Sequence, residues 1–549
     1  MQRRETVVIE ERDDVRWPYL RALRWSDEEA AAYHAHGIWT DSGYDQLIAR
    51  NAARHPDKVA LVGDRETLTW QQLDERTRAL ATGLRDRGVG PGAVVAARIG
   101  NSVDHAVVVY GVAAAGAVLF ELPPDSTPVQ VEQALVRTSA VALFSDAPPT
   151  AAEVTALSSP ALAARTATEL SAVQAAPLSD LPGQDPDAIA LLIGTSGTTG
   201  TPKIVLRTAN CALAMIRDVN SRTGVGADDV VLVAAPLSGG IGYFNGLCTL
   251  AETGCTLLVS GSLAVDGLLA LVARHRATVI QTVPTILLRL SAAAANARPG
   301  TVHTDSLRVV QAGGSYLHPQ TAGMIEDRFG CHVISAYGAV DLGTPAMVAA
   351  EDDTAAHRQE TVGKAYDSPS VFAILDDAGR PLPDGEIGEV VMRGPNTALG
   401  YYEDAEATRT LFDDNGWGHF GDLGRVDEDG YLRIVGRLKE IINRGGKKIS
   451  VNEVEDQVRA MAGLADVVAV GYPDAELGER CAVVVVAEEP DTTILLHDLR
   501  AHLTDRGVPK HMWPELVVQL DELPLSPQGK VRRRELKELV EAEALKART

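Results

Sequence analysis

The string Thr195-Ser196-Gly197-Thr198-Thr199-Gly200-Thr201-Pro202-Lys203 constrains this chain more than any other stretch. It follows an apolar run, Ile189 to Ile193, that reads as a buried strand. Two glycines let the backbone turn tightly, so that N–H groups face an anion. Thr and Ser hydroxyls add donors, and Lys203 adds a fixed positive charge. Such a loop suits a polyphosphate. It is not a Walker loop, because Pro202 precedes Lys203 and the Gly-Lys-Ser/Thr ending is missing.

A chain of 549 residues is too long for one core, so two or three domains are expected. At 45% hydrophobic and 23% charged it reads as globular. A net charge of −23 argues against nucleic acid as the main partner. Met1 to Arg16 is charged and lacks the apolar centre of a signal peptide. The longest apolar stretch, Ala106 to Phe120, is broken by Gly111 and Gly116, which leaves it short of a membrane span. The five cysteines show no paired spacing, which fits a reduced, cytoplasmic protein without a zinc site.

Ser26-Asp27-Glu28-Glu29 reads as the start of a helix running to about His36, within a leader ending near residue 45. From Tyr44 to Asp146, strand-like runs such as Val94 to Ile99 alternate with helical ones such as Val107 to Ala117. That alternation predicts βαβ units. Residues 147–185, rich in Ala, Pro and Ser, read as a surface excursion. Further strands are expected at Val230 to Ala234, Thr256 to Val259, Val279 to Thr282 and Arg308 to Ala312. Short β runs and turns from Ser370 to Tyr431 predict a small β subdomain. The tail holds an amphipathic helix near Val451 to Met461 and strands at Val467 to Val470 and Cys481 to Val486. The fold class expected is α/β: a large N-terminal domain, residues 1–436, and a small mobile α+β C-terminal domain, residues 437–549.

Four more clusters carry chemistry. Ala336-Tyr337-Gly338-Ala339-Val340-Asp341 offers an aromatic ring for a purine and a carboxylate for a hard cation. Gly416-Trp417-Gly418-His419-Phe420-Gly421-Asp422 offers a carboxylate that can accept two hydrogen bonds from a vicinal diol; His419 reads as structural. Gly436-Arg437-Leu438-Lys439-Glu440-Ile441-Ile442-Asn443-Arg444-Gly445-Gly446 places Arg437 to reach ribose or phosphate. Pro524-Leu525-Ser526-Pro527-Gln528-Gly529-Lys530 puts a Lys on a glycine-containing loop near the end.

In this order, these motifs resemble those of the adenylate-forming (ANL) superfamily: acyl- and aryl-CoA synthetases, adenylation domains and luciferases. The Ile-Asn-Arg-Gly-Gly-Lys-Lys string and the leader ending in Gly37-Ile38-Trp39 resemble stand-alone aryl-acid AMP ligases. The resemblance spans almost the whole chain. It implies ATP and Mg2+, with Thr195, Ser196, Gly197, Thr198, Thr199, Gly200, Lys203, Gly314, Ser315, Tyr337, Gly338, Asp422, Arg437 and Lys530 around the nucleotide. Asp341 would hold Mg2+, and Lys530, Lys203 and Asp341 would serve catalysis. Lys439 would be the hinge, and Gly445 and Gly446 would border the thiol tunnel. Two residues depart from the Tyr-Gly-x-Thr-Glu pattern: Asp341 is one methylene shorter than Glu, and Val340 lacks the Thr hydroxyl.

The implied reaction joins a carboxylic acid to AMP with release of pyrophosphate. The acyl group then passes to a phosphopantetheine thiol, of CoA or of a carrier protein acting in trans. The acid pocket is expected from Ser238, Gly239, Gly240, Tyr243 and Gly313. The His-Asn pair of dihydroxybenzoate and salicylate ligases is replaced by glycines, so the sequence leaves the acid open. The basic cluster Arg437, Lys439, Arg444, Lys447 and Lys448 would steer an acidic carrier or the CoA phosphates. Two other readings remain open at this point. One is diazotisation of an aryl amine with nitrite on the same fold; the other is a non-catalytic homologue.

Overall fold

Apolar runs of four or five residues between amphipathic stretches settle into two mostly parallel sheets. The computed structural model describes residues 25–157, 165–166, 181, 183–195, 203–298, 303–489, 491–525 and 531–548. One sheet has eight strands, in the order Gly343–Val348, His332–Ala339, Val309–Gly313, Val279–Thr282, Val230–Ala234, Thr256–Val259, Val59–Val62, Thr67–Thr69. The other has seven and centres on Ile189–Gly194, Val118–Glu121 and Val94–Arg98. Each expected strand of this region forms, shifted by at most a residue or two.

The two sheets share a core. The helix Val103–Ala114 is apolar all round beyond Asp104 and His105 and buried on nearly every residue, as a helix enclosed on all sides must be. It and the helix Ala209–Thr223 pack in one cluster with Val95, Leu119 and Leu191 of one sheet and Val231, Leu257 and Val309 of the other. Helices Val265–His275, Pro284–Asn296 and Pro319–Phe329 cover the far face of the eight-stranded sheet. The leader helix, Asp27–Ala35, starts on a capping box between Ser26 and Glu29. Trp25 and Trp39 beside it pack edge to face at 5.0 Å and cover the outer face of the seven-stranded sheet. The surface excursion expected over 147–185 is in part a folded element. Helix Ala151–Ala156 is capped by Thr150, and its Glu153 forms a buried ion pair with Arg98 at 2.8 Å.

Between residues 371 and 437, four antiparallel strands make the small β subdomain that the turns predicted. A five-stranded sheet with helices Val451–Arg459, Leu496–Asp505 and Arg533–Arg548 forms the small C-terminal domain. The architecture is thus α/β, with a large N-terminal and a small C-terminal domain. All five cysteines are buried and unpaired. Among the described residues, no helix is long and apolar enough to cross a membrane.

Candidate active site

The glycine- and threonine-rich loop joins two antiparallel strands, Ile189–Gly194 and Ile204–Thr208. Its neck is closed by the Thr195 amide donating to the Lys203 carbonyl at 2.9 Å. Ser196, Gly197, Thr198, Thr199 and Gly200 lie outside the described residues. The Lys203 ammonium sits 4.6 Å from the centre of the Tyr401 ring. Tyr401 reaches this place because strand Gly400–Tyr401 pairs with Ile204–Thr208. Its hydroxyl donates to Asp341 at 2.5 Å. Burial raises the Tyr401 pKa, and the Asp341 charge raises it further, so the hydroxyl keeps its proton and acts as the donor. Asp341 itself lies on the turn between His332–Ala339 and Gly343–Val348.

That turn is anchored from beneath by Arg207, a fully buried residue the sequence motifs do not single out. Its guanidinium donates to the Val340 carbonyl at 2.9 and 3.1 Å and to the Asn396 carbonyl at 3.0 Å. It also stacks 5.1 Å from the Phe244 ring. Its position five residues after Pro202 on the same hairpin is a signal only in hindsight, since an Arg in an apolar strand has no fixed meaning. Among the described residues, no group of three or more His, Cys, Asp or Glu is arranged to hold a metal. Asp341 is a single carboxylate beside Lys203. That donor set fits an Mg2+ ion carried mainly by phosphate oxygens rather than by a protein cage.

Tyr337, Asp422 and Arg437 form a second network. The Tyr337 hydroxyl donates to one Asp422 oxygen at 2.8 Å, and Arg437 Nε lies 3.0 Å from the other. Antiparallel register puts Asp422 directly opposite Arg437, so backbone pairing fixes the contact. Burial raises the Asp422 pKa; Arg437 and the Tyr337 hydrogen bond oppose that. Burial also pushes the Tyr337 phenol well above its usual value. The Phe420 ring lies 5.5 Å from that of Tyr337. His419 turns away to Glu389 at 3.0 Å.

Beside Tyr337 opens a cavity. Gly314, Tyr337 and Gly338 stand at its mouth, at the carboxyl ends of parallel strands, where open α/β sheets bind ligands. Gly313 and Ala336 line its wall, and Asn245, Gln281 and Gln311 line it deeper down. Ser238, Gly239, Gly240 and Tyr243 are not among its walls. The chain after Gly240 forms a π-helix, Ile241–Cys248, a wide turn that recurs at functional sites. It aims Ile241 and Asn245 at the cavity and turns Tyr243 into the core, edge-on to Tyr44 at 6.2 Å. Gly242 permits the close packing: a Cβ there would fall 2.0 Å from the Pro236 carbonyl oxygen. A contiguous pattern after Pro236 cannot reveal this offset, because π-helices leave no periodic signature in so short a run.

Lys439 is exposed in the turn between Leu432–Arg437 and Ile442–Arg444, where the amides of Glu440 and Ile441 both donate to the Arg437 carbonyl. Gly445 and Gly446, both at positive φ, make the two-residue turn of the hairpin Ile442–Ile449. Lys530 lies outside the described residues. In the basic cluster, Arg444 is paired with Glu515 at 2.6 Å and Lys448 is 3.4 Å from Asp377. Ser315 precedes a tie between the domains that the motifs do not announce: Tyr316 donates to Asp456 at 2.8 Å, and His318 contacts the same carboxylate. Asp456 belongs to helix Val451–Arg459 of the small domain.

A family model described as AMP-binding enzyme matches residues 48–402, and one described as AMP-binding enzyme C-terminal domain matches 453–530. The chain is 32% identical to 2-hydroxy-7-methoxy-5-methyl-1-naphthoate–CoA ligase of Streptomyces carzinostaticus, over 93% of this chain and 96% of that relative. It is 30% identical to the salicyl-AMP ligase / salicyl-S-ArCP synthetase of Mycobacterium tuberculosis, over 92% of each. ATP-bound MatB from Rhodopseudomonas palustris superposes with a TM-score of 0.81 at 25% identity, covering 91% of this chain and 99% of that one. The anthranilate CoA ligase AuaEII, solved with anthranoyl-AMP, shares the fold with a TM-score of 0.84 at 20% identity, over 92% and 98%. The chain belongs to the AMP-binding enzyme family.

Proposed function

We propose that this enzyme activates a carboxylic acid with ATP and then makes its thioester. A carboxylate oxygen attacks the α-phosphorus, the bond to the β-phosphate oxygen breaks, and pyrophosphate leaves. The thiol of a phosphopantetheine arm, on CoA or on a carrier protein, then attacks the acyl carbon and AMP leaves. One observation carries the reading. The networks Lys203–Tyr401–Asp341 and Tyr337–Asp422–Arg437 are joined through the strand His332–Ala339 and the turn after it, and Tyr337 of that strand also lines the cavity. An acid lying in that cavity presents its carboxylate where a nucleotide on those networks presents its α-phosphate.

In this reading Lys203 and the loop Thr195 to Gly200 hold the polyphosphate, with Gly314, Ser315, Tyr337 and Gly338 around the base. Asp422 and Arg437 hold the ribose by trading their present contact for its hydroxyls. Lys530 bridges the carboxylate and α-phosphate where charge develops. Asp341 would hold Mg2+, which supplies neutralisation of phosphate charge when bound. Lys439 divides residues 1–436 from 437–549 and absorbs the rotation that withdraws Lys530 and brings Gly445 and Gly446 to the thiol. The named relatives are acid ligases, and no feature of the cavity favours nitrite or an aryl amine.

ATP–pyrophosphate exchange over a panel of acids tests the reading. Hydroxybenzoates, aminobenzoates, cinnamates, β-amino acids and medium-chain fatty acids form the panel, with nitrite apart. Exchange dependent on one class of carboxylic acid is expected. Exchange with nitrite alone, or ATP binding without exchange for any acid, would overturn it.

A further inference from the structure

The inner end of the acid cavity is built from three carboxamides that are distant in sequence. Asn245 comes from the π-helix, and Gln281 and Gln311 face each other from neighbouring parallel strands. All three are at least 98% buried, with exposures of 2%, 1% and 1%. Asn245 Nδ2 donates to Gln281 Oε1 at 3.0 Å and to Gln311 Oε1 at 3.1 Å. Two polar atoms are left over: Asn245 Oδ1 and Gln311 Nε2 have no partner among the described residues. Leaving a buried donor and a buried acceptor without a partner destabilises the fold. Apolar side chains at these places would avoid that cost, so the pair needs a ligand to answer it.

Resting on the ligase reading above, we infer that the acid carries a hydroxyl group on the side of a single ring away from its carboxylate, and that Asn245 and Gln311 bind that hydroxyl together. The chemistry selects a hydroxyl among common substituents. One O–H both donates and accepts, so it satisfies Asn245 Oδ1 and Gln311 Nε2 at once. A primary amine supplies donors to the first and leaves the second unmet. An ether does the reverse, and a methyl meets neither. Rotating all three amides by a half-turn exchanges which residue donates and still leaves one donor and one acceptor, so the choice of hydroxyl does not depend on the amide orientation. Length also fits. Gln311 lies two residues behind Gly313 on the same face of its strand, about 7 Å from the mouth, which is the reach of one aromatic ring with its substituent.

The test is kcat/KM in ATP–pyrophosphate exchange for 3- and 4-hydroxybenzoate against benzoate, octanoate, and the matching methyl-, methoxy- and aminobenzoates. The wild-type chain should favour one hydroxy acid over its methyl isostere by tenfold or more, with the methoxy and amino acids also below it. In Asn245→Leu and Gln311→Met the hydroxy acid should fall by tenfold or more and the methyl acid should hold or rise. The wild-type ranking stands even if a variant fails to fold. A methyl acid, benzoate or octanoate equal to or better than every hydroxy acid overturns the inference and leaves the ligase reading intact. So do variants that lower hydroxy and methyl acids equally. Exchange with no acid in the panel overturns the ligase reading itself.

Discussion

The two ends of the proposed site treat their polar groups in opposite ways. At the nucleotide end each described charged group already has a partner: Lys203 rests over Tyr401, Tyr401 holds Asp341, and Asp422 is gripped by Tyr337 and Arg437. At the acid end, Asn245 Oδ1 and Gln311 Nε2 are buried and have no partner among the described residues. The contrast follows from what each ligand brings. ATP carries charges and hydroxyls strong enough to displace internal partners, so a paired resting state avoids bare buried charge. A neutral ring with one substituent cannot displace much, so the protein leaves open the contact by which it is to be recognised. The nucleotide end is thus built for exchange of partners and the acid end for discrimination.

The largest effect that would break this contrast concerns Lys530. If the nucleotide end works by partner exchange around a mobile Lys, Lys530→Ala should lower acid-dependent exchange about 10²- to 10³-fold. It should spare thioester formation from preformed acyl-AMP, because that half-reaction proceeds with the Lys withdrawn. Equal loss in both half-reactions would mean that Lys530 serves the fold or the thiol step instead. Next in size is Asp422→Asn. Hydrogen bonds to a charged acceptor are worth about 1.5–3 kcal/mol, so kcat/KM for ATP should fall about ten- to a hundredfold. The ranking of acids should not move. A changed ranking would show that the two ends are coupled and would dissolve the distinction between them.

The same contrast explains what was legible in the sequence. The nucleotide end is written as contiguous strings: Thr195 to Lys203, Ala336 to Asp341 and Gly416 to Asp422 each keep their chemistry within a few residues. Loops that bend around phosphate and ribose must carry their donors locally, so order and spacing survive as a readable pattern. Even there, what Tyr401 and Arg207 do was not readable, because they act through strand pairing and burial across 60 and 133 residues of chain. The alternation of apolar runs located the central strands of the eight-stranded sheet and, in the seven-stranded one, Val94–Arg98 and Ile189–Gly194, since a strand buried on both faces has no other composition to choose. The acid end had no such text. Asn245, Gln281 and Gln311 meet only because Val279–Thr282 pairs in register with Val309–Gly313 and a π-helix shifts the chain after Pro236. Reading straight on from Pro236 led to Ser238, Gly239, Gly240 and Tyr243, which are not among the residues that line this cavity.

The smallest effect separates stability from binding at the nucleotide end. His419 stands on the same strand as Asp422 but bonds to Glu389, and that hydrogen bond raises its pKa above 6.5. A histidine whose folded pKa is raised stabilises the fold fully below the unfolded value. The contribution fades as pH climbs from about 6.5 through the raised value. The pair is partly exposed, so solvent and salt screen it, and its worth is under about 1 kcal/mol. The urea midpoint of the wild type should therefore decline from pH 6 to 8 by a small increment that His419→Gln, which cannot titrate, does not show. KM for ATP should be the same in both proteins at each pH, because Asp422 answers to Tyr337 and Arg437 rather than to His419. If His419→Gln instead altered the pH profile of KM while leaving the urea midpoints parallel, the imidazole would belong to the exchanging network. The boundary of the nucleotide end would then extend along this strand to His419 and across to Glu389 on the neighbouring strand Gly388–Arg393.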